Sequence, residues 1–456
     1  MPFKSLKTLS INTFSLFILF LIISIVLISP IPVLAESDSI VTAVYPQPGH
    51  TFVLTEAGSL WAWGDNQHGK LGDGTGNNRS IPFQLILDNI ASLYPQSAGH
   101  TFALKNDGTL WAWERNWDGR IGTGNENPDF LEPVQVLDNV AEVFPHERHS
   151  FALKTDGTLW AWGHNNAGQL GDGTRSNRFS PVQVDLQNVV EVIPGNGNTF
   201  AILEDGSLWG WGHNQYGKLG DGSTMNRLKP VRILDDVKSV HPQDTHTLAH
   251  KNDGTLWAWG YNFYGQLGDG SNDNQRLPVQ VNISGIEEIH PQRYHAFAKR
   301  SDGTLWAWGY NWYGQLGDGS ISNRNQPVRV SSIQGINQVY AQEHHTFTLL
   351  DDQTLWGWGR NWDGRLGEGS NNHIRSAPAK VADNVEKAFI QERHAFALDS
   401  QGYILAWGEN NKSQLGTGSN SGAGEPVNVS LDSVTDIYPQ DSHTFALRED
   451  GSLWAW

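Results

Sequence analysis

Short apolar strands, bounded by turn residues, return along the chain with a fixed beat. The stretch His100 to Gly124, HTFALKNDGTLWAWERNWDGRIGTG, shows the unit most fully. Trp-x-Trp pairs mark its returns at Trp61/Trp63, Trp111/Trp113, Trp160/Trp162, Trp209/Trp211, Trp257/Trp259, Trp306/Trp308, Trp356/Trp358 and Trp454/Trp456, in steps of 48 to 50 residues. One degenerate copy carries Leu405 before Trp407. Self-similarity at such a period means a solenoid, an array or a propeller.

Within the unit, Asp107-Gly108 reads as a two-residue hairpin turn flanked by apolar alternation. Closing the hairpin there pairs Asn106 with Thr109, Leu104 with Trp111, Ala103 with Ala112 and Phe102 with Trp113. Bulky residues then share one face, and Ala, Gly and Thr share the other. A small-residue face lets the bulky face of a neighbouring sheet approach at interior packing density. The same turn recurs at Asp156-Gly157, Asp205-Gly206, Asp253-Gly254, Asp302-Gly303 and Asp450-Gly451, whereas Asp352-Gln353 lacks the glycine and should be strained or rebuilt.

Each unit runs in one order: a short apolar strand ending in Pro-Gln or similar, the His-Thr-Phe strand, the Trp-x-Trp strand, a Gly-rich loop, and a Pro-Val strand. The expected fold is all-β, a β-propeller of four-stranded blades with about 49 residues per repeat, seven to nine blades in all, and the last blade incomplete. Nine His/Trp hairpins stand against eight Gly loops, and the sequence stops in mid-unit at Trp456, which suggests a fragment of a longer array. No helix is expected in residues 36–456, which hold eight full repeats and a terminal half repeat.

His-Thr-Phe-Ala-Leu, Asp-Gly-Thr-Leu-Trp-Ala-Trp-Gly, and Gly-Gln-Leu-Gly-Asp-Gly-Thr followed by Pro-Val resemble the repeat of the regulator of chromosome condensation family. The resemblance covers residues 40–456. It implies a propeller, usually of seven blades, that binds proteins through its faces. The family's founding member is an exchange factor for a small GTPase that also contacts chromatin. The chain resembles an exported, bacterial-type member. It departs from the family pattern before the His, where most units carry Pro-Gln.

Residues 1–35 read as a signal peptide. Lys4 and Lys7 precede an apolar run from about Phe14 to Ile28, and Val33-Leu34-Ala35 offers a cleavage site. The competing reading is an uncleaved anchor. Without this segment the chain carries 29 basic and 48 acidic residues, a net charge near −19, which argues against nucleic acid as a partner. Cysteine is absent, so the core alone must hold the fold.

Function is sought where units differ on a common loop. After Trp-x-Trp-Gly the variable positions carry Arg115, Trp117, Tyr216, Tyr261, Phe263, Tyr264, Tyr310, Trp312, Tyr313, Arg360 and Trp362. Equivalent loops share a propeller face, so these should form an aromatic arc of the residue types that anchor interfaces. The competing reading is rim packing. A second variable set precedes the His: Glu147-Arg148, Arg293-Tyr294, Glu343-His344 and Glu392-Arg393, read as solvated turns. The recurring His is expected to make a structural hydrogen bond at the strand start. The Gly-Asp-Gly acids are expected to serve their turns. No metal site and no cofactor are expected, and no catalytic constellation stands out.

The expectation is therefore a secreted or cell-surface, non-catalytic binding module for an extracellular protein or glycan, with no membrane contact beyond the signal segment. Two alternatives remain: a propeller lyase or hydrolase with an axial site, and, by family analogy, a GTPase exchange factor.

Overall fold

The computed structural model describes residues 40–97, 99–370 and 372–456. The signal segment expected at residues 1–35 lies outside the described residues. The chain forms nine antiparallel sheets, eight of four strands and the last of three, with strands paired in chain order. It is a nine-bladed all-β propeller whose only helical pieces among the described residues are three-residue 3-10 turns. Among those residues no helix is long and apolar enough to cross a membrane.

The hairpin register corrects the sequence expectation by one residue. Leu104 faces Leu110, Ala103 faces Trp111, Phe102 faces Ala112 and Thr101 faces Trp113. The cause is the turn. Lys105 pairs with Thr109 across a three-residue loop in which Gly108 is the third residue, at φ 79°. The Asp107 carboxylate accepts from both the Thr109 amide and its hydroxyl, which locks this form. The expected division into one bulky and one small face is therefore replaced. Phe faces Ala on one side of the sheet, and Trp faces Ala or Thr on the other. Large residues meet instead between blades.

That meeting builds the core. Phe52 stands edge-on to Trp113 of the next blade at 5.9 Å, Phe102 to Trp162 at 5.8 Å, and Phe151 to Trp211 at 6.0 Å. Edge-to-face pairs of this kind add about 0.5–1.5 kcal/mol beyond their buried area. The indole of each such Trp also donates to a carbonyl in the previous blade's loop, as from Trp162 to Arg120 at 3.0 Å and from Trp211 to Gln169 at 2.8 Å. The Gln of the segment before the His has a use whether Pro291, Ala341 or Ile390 precedes it. Gln292, Gln342 and Gln391 donate to Ala341, Ile390 and Pro439 carbonyls, each in the next blade.

The turn at Asp352-Gln353 is strained rather than rebuilt. Gln353 holds φ 63° and keeps the hydrogen bond from its amide to the Leu350 carbonyl. Four of the eight recurring histidines depart from expectation, whereas His149 shares a hydrogen bond with the Thr199 hydroxyl at 3.5 Å and His443 with that of Ser442 at 3.4 Å. His50, His100, His246 and His345 are buried, yet neither ring nitrogen of any of them has a hydrogen-bond partner among the described residues. The rings of His50, His100 and His345 stand edge-on to the Phe two residues on, at 5.2 Å for His100 and Phe102, whereas His246 has Leu248 in that place. Packing, not hydrogen bonding, fixes them.

Candidate functional site

Each Gly-rich loop is stapled by a buried asparagine. Asn262 Oδ1 accepts from the Leu267 amide, while Nδ2 donates to Asp269 and to the Ser271 carbonyl. Asn311 repeats this with Leu316, Asp318 and Ser320. The Gly-Asp-Gly acids are the loops' hubs: Asp172 and Asp318 also accept from Arg178 and Arg324 at 2.6 Å. Burial would raise the Asp318 carboxyl, but hydrogen bonds from Arg324 and Ser320 outweigh it and hold it below the ordinary range. The staple leaves the residues just after the asparagine at the surface. Gln266 and Gln315 then fix the backbone by accepting from the Tyr264 and Tyr313 amides at 3.0 Å.

Most of the expected site residues come together. Tyr216 of the fourth blade lies 4.9 Å from Tyr261 of the fifth. Tyr261, Phe263 and Tyr264 contact one another, and Tyr264 meets Tyr310 of the sixth blade at 5.1 Å. Tyr310 touches Trp312 and Tyr313, and Tyr313 reaches Trp362 of the seventh blade at 6.5 Å. The Arg360 guanidinium stands 3.5 Å over the Trp362 ring and 5.6 Å from Tyr313. One unbroken arc of rings thus crosses four blades. Phe263 is 65% exposed and Trp312 64%, and both project from it.

Arg115 and Trp117 form a separate patch. The guanidinium lies 4.8 Å over the indole, which His68 of the first blade approaches at 6.5 Å. The third blade, with His164, Asn166 and Ala167, presents no large ring between this patch and Tyr216.

The second variable set belongs to the same face and is not merely solvated. Tyr294 packs on Tyr264 at 5.3 Å, and His344 packs on Tyr313 at 5.2 Å. Arg148 binds Asp118 of the preceding blade at 2.8 Å. Burial works to raise the Glu392 carboxyl, but His344 and Arg365 hold it low. Burial, together with neighbouring phenols, raises the Tyr261 and Tyr310 hydroxyls, so these stay neutral donors.

Two residues escaped sequence reasoning. Glu114 occupies the place held by Gly64, Gly163, Gly212, Gly260, Gly309, Gly359 and Gly408 in the other four-stranded blades, at φ 87°. It is fully buried with both oxygens unpartnered. The signal was there to read, as Trp-Ala-Trp-Glu against Trp-Ala-Trp-Gly. Lys218, buried in the fourth loop, occupies a position that holds Gln or another cation elsewhere. Only the structure shows its surroundings. Among the described residues no three His, Cys, Asp or Glu side chains are placed to hold a metal ion.

The RCC1-like domain profile matches residues 28–292, and the regulator of chromosome condensation (RCC1) repeat profile matches 302–349 and 401–447. No curated protein matches the chain. Among solved structures it is similar to human WBSCR16, at 22% identity and a TM-score of 0.49 over 72% of this chain and 96% of that one. It is also similar to Prp20p from Saccharomyces cerevisiae, at 20% identity and a TM-score of 0.49 over 76% of this chain and 90% of that one. The Prp20p structure is described with that protein's binding to Gsp1p and histones.

Proposed function

The chain belongs to the family of RCC1-like domains, and from that premise we propose that it is a non-catalytic interaction module that engages a partner protein through the aromatic arc. The observation that carries this reading is the continuous ring-to-ring contact from Tyr216 to Trp362, with Phe263 and Trp312 left projecting. Rings already packed on one another lose little freedom on binding, and Tyr, Trp and Arg are the residues that most often anchor interfaces. Rim packing accounts for Tyr264 and Tyr310, which are half-buried, but not for two exposed rings beside them. The negative charge of the mature chain disfavours a nucleic-acid partner.

We also propose that the module works outside the cytoplasm, as a secreted or cell-surface protein. The support is the Lys4/Lys7 segment, its apolar run and the Val-Leu-Ala ending. Sequencing the amino terminus of the exported protein tests it: a chain beginning at Glu36 is expected, and a cytoplasmic chain retaining Met1 overturns it.

The face is tested with a photo-crosslinking residue at Phe263 or Trp312, and at Ile81, exposed on an outer strand, as control. Crosslinks to an extracellular protein from Phe263 and Trp312 but not from Ile81 are expected, and Trp312→Ala with Phe263→Ala should abolish binding in a folded chain. A chain that binds its partner with both rings removed overturns the reading. Binding confined to glycans makes the arc a sugar-stacking platform instead.

A further inference from the structure

The loop residue that follows the recurring bend turns inward, and in four blades it is a cation. Three of the four have a carboxylate beside them. Lys70 meets Asp65 at 2.8 Å, Arg120 meets Asp118 at 3.9 Å, and Arg365 meets Asp363 and Glu392 at 3.4 Å each. Lys218 is the exception. It is 1% exposed, and its ammonium donates to the Asn196 and Asp244 carbonyls at 3.1 and 3.0 Å. Among the described residues no carboxylate lies within ion-pair distance of it. The Asp244 carboxylate is engaged elsewhere, by Asn196 Nδ2 at 3.3 Å and by Arg293 at 3.5 Å.

Lys218 borders a cavity of about 270 Å³ between the third, fourth and fifth blades. Arg148, His146, His164 and His213 also line it, and Asp244 is its one carboxylate. Arg148, 54% exposed at the mouth, spends one nitrogen on Asp118, leaving other donors of its planar fork. Burial lowers the Lys218 amine to about 8, with Asp244 offsetting this in part. Buried charges are ordinarily paired, and this one lacks its counter-charge.

We propose that the cavity binds a small oxyanion, a molecule bearing a carboxylate or phosphoryl group, whose negative charge completes the Lys218 site. Lys218 supplies the charge, Arg148 a charge-assisted donor at the mouth, and the neutral imidazoles N–H donors around it. The volume falls just under the roughly 300 Å³ at which sites for drug-sized ligands begin, so the ligand is small. The site is distinct from the aromatic arc and would stand if that surface proved not to bind protein.

The test uses the full chain with inorganic phosphate and succinate as separate probes, read by calorimetry and by acetylation of lysines followed by mass spectrometry. Saturable binding of at least one probe is expected, weakened at least tenfold by Lys218→Met and severalfold by Arg148→Gln, and unchanged by Lys412→Met on an exposed loop. Bound anion should protect Lys218, and not Lys412, from acetylation. A lysine that merely ties two turns together would show no such protection. Protection by phosphate alone or succinate alone identifies the group. Absence of binding and protection with both probes, or affinity unchanged in Lys218→Met, overturns the proposal. Arg148→Gln and the protection assay decide the matter if Lys218→Met fails to fold.

Discussion

The ring of Phe445 in the last blade stands edge-on to Trp63 in the first, with centroids 5.9 Å apart and planes at 74°. The geometry repeats that of Phe52 on Trp113, so the contact that joins successive blades also closes the ring. The closing seam is nevertheless thinner. Trp113 is fully buried and donates to the Lys70 carbonyl at 3.0 Å. Trp63 is half-buried, and its indole has no acceptor among the described residues.

Removal of either phenylalanine should therefore have different reach. Phe52→Ala is expected to cost about 3–5 kcal/mol, as buried aromatic truncations do, and Phe445→Ala to fall at or below the low end of that range. In Phe445→Ala, amide exchange should rise in both His50–Thr55 and Thr444–Arg448. A rise confined to the last blade would mean that the ring stands open in solution.

Gln353 occupies the left-handed turn position that Gly108, Gly157 and Gly303 fill elsewhere. Its side chain carries a backbone cost that glycine avoids. Gln353→Gly should stabilise the chain by about 1 kcal/mol in urea unfolding, and the reverse change, Gly303→Gln, should destabilise it by a similar amount. A destabilised Gln353→Gly would show that the side chain makes a contact that outweighs the strain.

The same turn shows what was legible in the sequence. Period and strand order followed from the Trp pairs, and the turns of six hairpins from the Asp-Gly dipeptides. Register did not, because Asp-Gly can close a two-residue loop or end a three-residue one. The bond from the Thr109 hydroxyl to Asp107 decides between them. The arc was legible because Tyr264 and Trp312 vary at loop positions that the repeat brings onto one face. Lys218 was not, because its missing counter-charge depends on where the Asp244 carboxylate points, a matter of three blades and not of one motif. The unpartnered histidines were missed for a related reason. A polar side chain at a strand start suggests a hydrogen bond, yet here the imidazole packs on the residue two places on, Phe52, Phe102 and Phe347 for three of the four.

The buried repeat histidines give the fold an acid limit. Burial lowers His100, His246 and His295 to about 3, and His50, His345 and His394 to about 4. Unfolded, each would titrate near the ordinary 6.5. Between these values the unfolded chain binds more protons at these sites, so their contribution to stability is complete above pH 6.5 and is lost as pH falls toward 4. Unfolding free energy should drop steeply across this window, by up to roughly 3 kcal/mol per imidazole. His100→Asn should reduce proton uptake on unfolding at pH 5 by about one, Asn198 being the chain's own example of that residue in this place. A profile flat from pH 7 to 4.5 would mean that the imidazoles are solvated in the folded state.

Glu114 sets a limit of the opposite sign. A Cβ built on Gly64 would lie 2.4 Å from the Gly49 carbonyl oxygen, and one on Gly359 2.6 Å from that of His344. The second blade tolerates a side chain at this point only at φ 87°, a strain of about 1–3 kcal/mol. Burial raises the carboxyl to about 8, with Lys70, Arg115 and Arg120 pulling it only part of the way back. Between pH 4.5 and 8 the folded state holds a proton that the unfolded state releases, so this residue erodes stability as pH rises. Glu114→Gly should stabilise the chain at pH 7 by up to roughly 4–6 kcal/mol, strain and titration together, with a gain that grows from pH 5 to pH 8. Glu114→Gln keeps the strain and removes the titration, so its difference from Glu114→Gly should not change with pH. A gain from Glu114→Gly that is the same at pH 5 and pH 8 would show that the carboxyl is not isolated from water, and would leave backbone strain as its whole cost.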